Sequence, residues 1–206
     1  MVDVSKVRGG YAVIVYSGKP GSLEEKFLSA ATKGLNKRGK EYKVINLHGD
    51  KFNPVFEGKD LRLYAQGETT DKNVKNYQEL VKGANELYFI YPTKWQGMDA
   101  MMKGFCDKTF LRNGFWYTRK AGWFDALWVE MQWIKRSRAV THHTESRFER
   151  RFKMRNSARV QLTRGTMFAL KMKHIRMSLL PNSNRTLTDK AIMKFLRSIE
   201  KKFSKK

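Results

Sequence analysis

Three short stretches carry the residue types that could hold a planar, charged ligand. The first is Tyr91-Pro92-Thr93-Lys94-Trp95-Gln96-Gly97. It follows Leu87 to Tyr91, an apolar, aromatic run suited to an interior strand, which Pro92 stops by fixing φ and removing a backbone donor. Ligands of open α/β sheets bind at the carboxyl ends of strands, and a Trp beside a Gly sets a flat apolar plate next to backbone that can be approached closely. A ring packed on Trp95 would find the backbone of Pro92, Thr93 and Gly97 and the side chains of Lys94 and Gln96 along its polar edge; the alternative is a purely structural tryptophan. The second stretch is Ser17-Gly18-Lys19-Pro20-Gly21-Ser22-Leu23. It leads into a helix, whose free N–H groups and dipole favour a phosphate, and it reads equally as an ordinary strand-to-helix turn with a Ser cap. The third is Thr141-His142-His143-Thr144-Glu145-Ser146, where a protonated imidazole would stabilise negative charge gathering on a bound ring, or the ring of a histidine would block the site. A metal suits the two histidines poorly, because consecutive residues seldom point at one ion and no Cys or carboxylate cluster flanks them at a recognised spacing.

The elements needed to position these loops alternate along the chain. Tyr11 to Tyr16 reads as a first strand. Ser22 with Glu25 forms a capping box that opens a helix through Phe27, Leu28, Ala31 and Leu35. Tyr42 to Leu47 is a second strand, and HGDKFNPVFEGKD is a polar loop. Val74, Tyr77, Val81 and Ala84 have helical spacing before the Leu87 to Tyr91 strand; Met98, Met101, Met102, Phe105 and Phe110 make the next helix. Gly122 to Lys135 is apolar on several sides, which predicts a helix deeply buried or shared with a second subunit. A fourth strand ends near Val140 and a fifth spans Ile175 to Leu180, broken by Pro181. Thr188 and Asp189 cap a C-terminal helix carrying Ile192, Phe195, Leu196, Ile199 and Phe203. Strand and helix in alternation are the grammar of an α/β doubly wound parallel sheet, read here as one domain over residues 1–206.

Composition bounds the partners. A chain of 206 residues with 41% hydrophobic content can bury one sizeable core, and no apolar run approaches the roughly 20 residues that span a bilayer. The single cysteine, Cys106, excludes an internal disulfide and points to a reducing cytoplasm. The formal charge of +23 is uneven: residues 131–206 hold 21 Lys/Arg against 4 Asp/Glu. Its densest part is RFERRFKMRNSAR, where Phe148 and Phe152 sit one helical turn apart and most arginines fall elsewhere. Such a face is either plainly solvated or turned to anionic phosphates, and no motif that reads nucleic-acid sequence accompanies it.

Pro92, Trp95-x-Gly97, Lys103-Gly104, Asp107, Phe110 and Gly114-Phe115-x-Tyr117, in that order and spacing, resemble the signature of the flavodoxin-like NAD(P)H:quinone oxidoreductase family. A weaker resemblance runs through the first strand and helix, the segment LHGDKFNPVF and the closing helix. It implies a flavodoxin-like five-stranded parallel sheet with helices on both faces. It also implies non-covalent FMN or FAD, reduced by hydride from NADPH or NADH and reoxidised by a quinone or related acceptor in a ping-pong cycle, and a homodimer with the site at its interface. Carried onto this chain, the cofactor-binding residues are Ser17, Lys19, Ser22, Leu23, Pro92, Thr93, Lys94, Trp95, Gln96, Gly97 and Thr141. Phe115 and Trp116 line the substrate side, and Tyr117, His142 and His143 form the catalytic set. Four departures stand out. Ser17 replaces the family's His, Glu24 its Asn and Asp99 its Pro, while His142 and His143 put rings where small residues are usual. Ser17 still offers a phosphate a hydroxyl; Glu24, if it points inward, repels one. These departures leave open a flavin-less protein that serves as a binding or regulatory subunit.

Overall fold

A computed structural model describes residues 10–64, 66–112, 114–121, 124–129, 131–145, 148–180 and 187–205. Five parallel strands form its central sheet: β1 (Tyr11–Tyr16), β2 (Tyr42–Asn46), β3 (Ala84–Ile90), β8 (Arg136–His142) and β9 (Ile175–Leu180), in the order β2-β1-β3-β8-β9. Successive side chains of a strand point to opposite faces, so β1 divides its apolar residues between two cores. Val13 and Val15 join Leu87, Phe89 and Ala139 on one face, under α3 (Lys72–Gly83) and α4 (Ala100–Thr109). Ala12, Ile14 and Tyr16 join Tyr88, Ile90 and Val140 on the other, under α1 (Leu23–Lys37) and α6 (Asp189–Phe203). Parallel strands buried on both faces read as continuous apolar runs, as YAVIVY and LYFI do. The sheet is the doubly wound, flavodoxin-like one that the sequence implies.

Local chemistry sets the helix ends. Ser22 caps α1, its hydroxyl accepting from Glu25 N–H at 3.4 Å; Asp71 caps α3, accepting from Asn73 and Val74 N–H; Thr188 caps α6, accepting from Ala191 N–H at 3.3 Å. Buried Lys108, on α4, reaches Asp60 at 3.2 Å and Asp71 at 3.5 Å and donates to the carbonyls of Asn53 and Val55, which fixes the loop after β2 against α4. Gly104 allows that approach: a Cβ there would lie 2.4 Å from Pro54 Cβ and 2.5 Å from its carbonyl oxygen.

Several expectations need correction. The loop HGDKFNPVFEGKD ends in a helix, α2 (Gly58–Tyr64), whose capping acid is Asp60: its carboxylate accepts from Glu57 N–H at 3.0 Å. Ala84 opens β3 instead of closing a helix, and Met98 and Phe110 flank α4 without belonging to it. The described part of Gly122 to Lys135 is not one helix. Its first part is the return strand of a hairpin, β6 (Trp116–Ala121) against β7 (Phe124–Val129), followed by a tight turn at Met131–Trp133. Aromatic and β-branched residues in WYTRKA and FDALWV suit paired strands, and apolarity on all sides does not separate a buried helix from a strand. Gly122, Trp123, Arg147 and Pro181 lie outside the described residues. In the arginine-rich segment a wide turn at Glu149–Lys153 stacks the exposed rings of Phe148 and Phe152, 4.8 Å between centroids, and left-handed Arg155 and Asn156 end it before the single turn α5 (Ser157–Val160).

Because Pro54 leaves no space over Gly104, Gly104→Ala is expected to cost about 1–3 kcal/mol by overpacking, lowering the melting temperature by roughly 2–12 °C in a calorimetric scan. An unchanged melting temperature would show that the loop yields freely.

Candidate active site

β1, β3 and β8 end side by side, so the three loops singled out in the sequence meet at one edge of the sheet. The strand order reverses between β1 and β3, and that is where the crevice of a doubly wound sheet opens. Two side-chain seams cross it.

The first seam joins loop one to the start of α4. Ser17, at the end of β1, is buried and donates its hydroxyl to Asp99 Oδ1 at 2.9 Å. Burial pushes the Asp99 carboxyl above its ordinary range, opposed by that donated bond. The second seam joins α1 to loop three. Glu24, only 3% exposed, brings Oε1 to 2.8 Å from Nε2 of His142. Burial alone would raise the Glu24 carboxyl; the contact with His142 and the Ser22 hydroxyl outweigh it and hold the carboxyl below the usual range. Nδ1 of His142 is buried with no hydrogen-bond partner among the described residues. His143 is buried, its Nδ1 3.6 Å from Glu145 Oε2. Each imidazole thus has a carboxylate beside it. Between the seams, the hydroxyls of Thr93 and Thr141 bond each other at 2.8 Å.

Loop two is a miniature hairpin. β4 (Thr93–Lys94) pairs with β5 (Gly97–Met98), and Trp95 and Gln96 turn the chain at φ of 47° and 60°. Neither is the Gly or Asn that such a turn favours, and non-glycine residues held at positive φ gather at functional sites. Trp95 is fully exposed at the tip, and Lys94 is exposed beside it. Gln96 is held from behind, its carbonyl accepting from Ser157 at 3.4 Å, and Gln161 accepts from Met98 N–H at 3.0 Å.

The remaining candidates divide. Pro92 is half-buried where β3 leaves the sheet; Lys19 and Ser22 form the turn before α1, where Ser22 N–H donates to Lys19 O at 3.1 Å; Leu23 packs against the core beneath that helix. Trp116 lines an apolar concavity of about 510 Å³ with Met98, Cys106, Phe110 and Gln161, its indole N–H tied to Phe110 O at 2.8 Å. Tyr117 follows it in β6, half-exposed. Phe115 is a correction: it is wholly buried, edge-on to Phe110, so it fills the core and lines no substrate site. Sequence reasoning did not foresee Gln161 behind the hairpin or the pairing of Glu24 with His142; the buried position of Glu24 on a face shared with Phe27 and Ala31 was its only local signal.

A family model described as Flavodoxin-like fold matches residues 12–203. The chain belongs to the flavodoxin-like fold family. Within it, NAD(P)H dehydrogenase (quinone) 1 of Cavia porcellus is 25% identical over 134 residues, which cover 57% of this chain and 48% of that protein, so the match spans about half of the relative's length. Among solved structures, Smu.1420 from Streptococcus mutans UA159 has a TM-score of 0.80 at 22% identity, covering 94% of this chain and 98% of that one. An NAD(P)H:quinone oxidoreductase from Methanothermobacter marburgensis scores 0.81 at 17% identity, over 95% and 96%. An FMN-dependent NADH-azoreductase from Bacillus anthracis, solved in complex with FMN, scores 0.75 at 10%, over 95% and 98%. The structural likenesses establish the flavodoxin-like fold.

That family raises the question of a flavin. A phosphate at the amino end of α1 needs unengaged amides and space. Here Gly21 N–H donates to Glu25 Oε2 at 2.7 Å, Ser22 N–H to Lys19, and Glu25 N–H to Ser22. A Cβ on Gly18 would lie 2.4 Å from Glu24 Cβ and 2.6 Å from the Tyr16 ring, so those two side chains fill the hollow of the loop. The residues present do not fit the phosphate of a flavin.

Asp99 yields a signed prediction. Its folded pKa is raised, so its ionisation opposes folding: the associated stability is complete below the ordinary carboxylate range and is lost as pH rises through the folded value. Asp99→Asn keeps an oxygen for Ser17 and removes the charge. It is expected to raise the melting temperature at pH 7, with a gain that shrinks as pH falls toward about 4. A loss of stability at pH 7 would mean that the buried charge has a partner worth more than its desolvation.

Proposed function

We propose that this chain is an oxidoreductase of the quinone reductase and azoreductase type, passing electrons from NADPH or NADH to a quinone or related acceptor. The observation that carries the reading is the meeting of three loops at the carboxyl ends of β1, β3 and β8, beside an apolar concavity that holds Trp116. The family match and the names of its relatives support it.

The finer parts of the proposal rest on the resemblance: a cytoplasmic homodimer, a ping-pong cycle, and a flavin, FMN or FAD, that supplies hydride relay. The entrance to α1 does not fit the phosphate of that group. The chain's own residues have definite roles. Exposed Trp95 offers a ring face at the end of the β4–β5 hairpin, while the open concavity by Trp116 offers apolar wall to an acceptor. The excess of Lys and Arg in residues 131–206 attracts the phosphates of a nicotinamide nucleotide from a distance. No helix among the described residues is long and apolar enough to cross a membrane.

One observation favours a second reading. Two buried carboxylates, Glu24 and Asp99, cross the crevice on partners of their own, as in a flavodoxin-fold protein that has given up its flavin and acts as a binding or regulatory subunit.

Oxidation of NADPH and NADH by the purified protein, with a soluble quinone and with added FMN or riboflavin, separates the two. Turnover with at least one pair supports the oxidoreductase. Trp95→Ala is then expected to lower kcat/KM for the acceptor about three- to tenfold while leaving the melting temperature unchanged, because its ring touches solvent and not the core. No oxidation of either nucleotide under any of these conditions would leave the binding subunit.

A further inference from the structure

We propose that Glu24 is a built-in substitute for a bound phosphate, and that the crevice therefore admits only planar ligands without one, riboflavin in place of FMN. The proposal deepens the oxidoreductase reading and rests on it for the ring that binds. Its geometry is independent of that reading.

An anion arriving at the amino end of α1 meets three obstacles. The hollow of loop one is filled by the Glu24 and Tyr16 side chains, as their approach to Gly18 shows. The amides of Gly21 and Glu25 are engaged by Glu25 and Ser22, and the Ser17 hydroxyl is spent on Asp99. Glu24 also places a negative charge in the same position, buried and paired with His142 across the crevice. A phosphate would have to expel Glu24, stranding the His142 ring whose other nitrogen already lacks a partner among the described residues, or else lie against its charge in a site of low dielectric. Neither cost falls on a ligand that carries a hydroxyl at that end.

Overall charge argues in the same direction. A chain of formal charge +23 attracts phosphates almost everywhere, so a buried carboxylate where α1 presents its amino end to the crevice is a local reversal of sign.

Fluorescence titration of FMN and of riboflavin onto the full chain and onto Glu24→Asn tests the proposal. The parent is expected to bind FMN no more tightly than riboflavin, while Glu24→Asn strengthens FMN by about tenfold and leaves riboflavin within about threefold. Should Glu24→Asn fail to fold, Glu24→Gln, nearly equal in size and without charge, takes its place. An FMN preference of about tenfold or more in the parent overturns the proposal, as does an FMN-to-riboflavin ratio that the folded variant leaves unchanged. Turnover is scored separately. An inactive protein with the predicted selectivity loses the oxidoreductase reading and keeps the phosphate exclusion; an active one that holds FMN tightly does the opposite.

Discussion

β1 pairs in parallel with β2 on one side and β3 on the other, and everything at the functional edge depends on that placement. A parallel neighbour is reached only by a crossover, so the chain leaves β1, β3 and β8 at the same edge and returns through helices on both faces. Strand order reverses beside β1, and loops far apart in sequence are forced together there. Ser17, Thr93, Asp99, Thr141 and His142 become neighbours because of this winding and for no local reason.

What those neighbours do is unusual for such a crevice. A doubly wound fold ordinarily leaves its switch point open for a ligand's polar groups. This chain spends its polar groups on itself, hydroxyl to carboxylate at Ser17 and Asp99, carboxylate to imidazole at Glu24 and His142, hydroxyl to hydroxyl at Thr93 and Thr141. The two acids respond to burial in opposite senses. For Asp99, desolvation outweighs the hydrogen bonds from the Ser17 hydroxyl and the Met102 amide and the carboxyl is pushed up; Glu24 has an imidazole and is held down. Glu24 is thus the one poised as a buried anion. Trp95, by contrast, stands in solvent on a turn of positive φ, so the apolar side of the site remains available while its anion side is filled.

Much of this was legible in the sequence. Runs such as YAVIVY and LYFIY announce strands buried on both faces, and Ser22, Asp71 and Thr188 mark helix starts with side chains that accept from the first turn. The β6–β7 hairpin was not legible, because aromatic residues on every side of GWFDALWVEMQWIK satisfy helical and extended periodicities alike. The two-residue strands around Trp95 and Gln96 were hidden as well, since neither turn residue is a Gly or Asn. Phe115 looked like a ligand wall because the motif places it there; burial decides otherwise. Glu24, Asp99 and His142 were visible as departures from the family's pattern, yet their partners were not, for pairing across a sheet edge is a property of the winding and leaves no mark on local spacing.

The most direct test of this account is a crystal structure of the full chain grown with excess FMN. The account predicts Glu24 still beside His142 at the amino end of α1, with no phosphate bound there. A phosphate on the amides of that first turn, with Glu24 swung out to solvent, would contradict it.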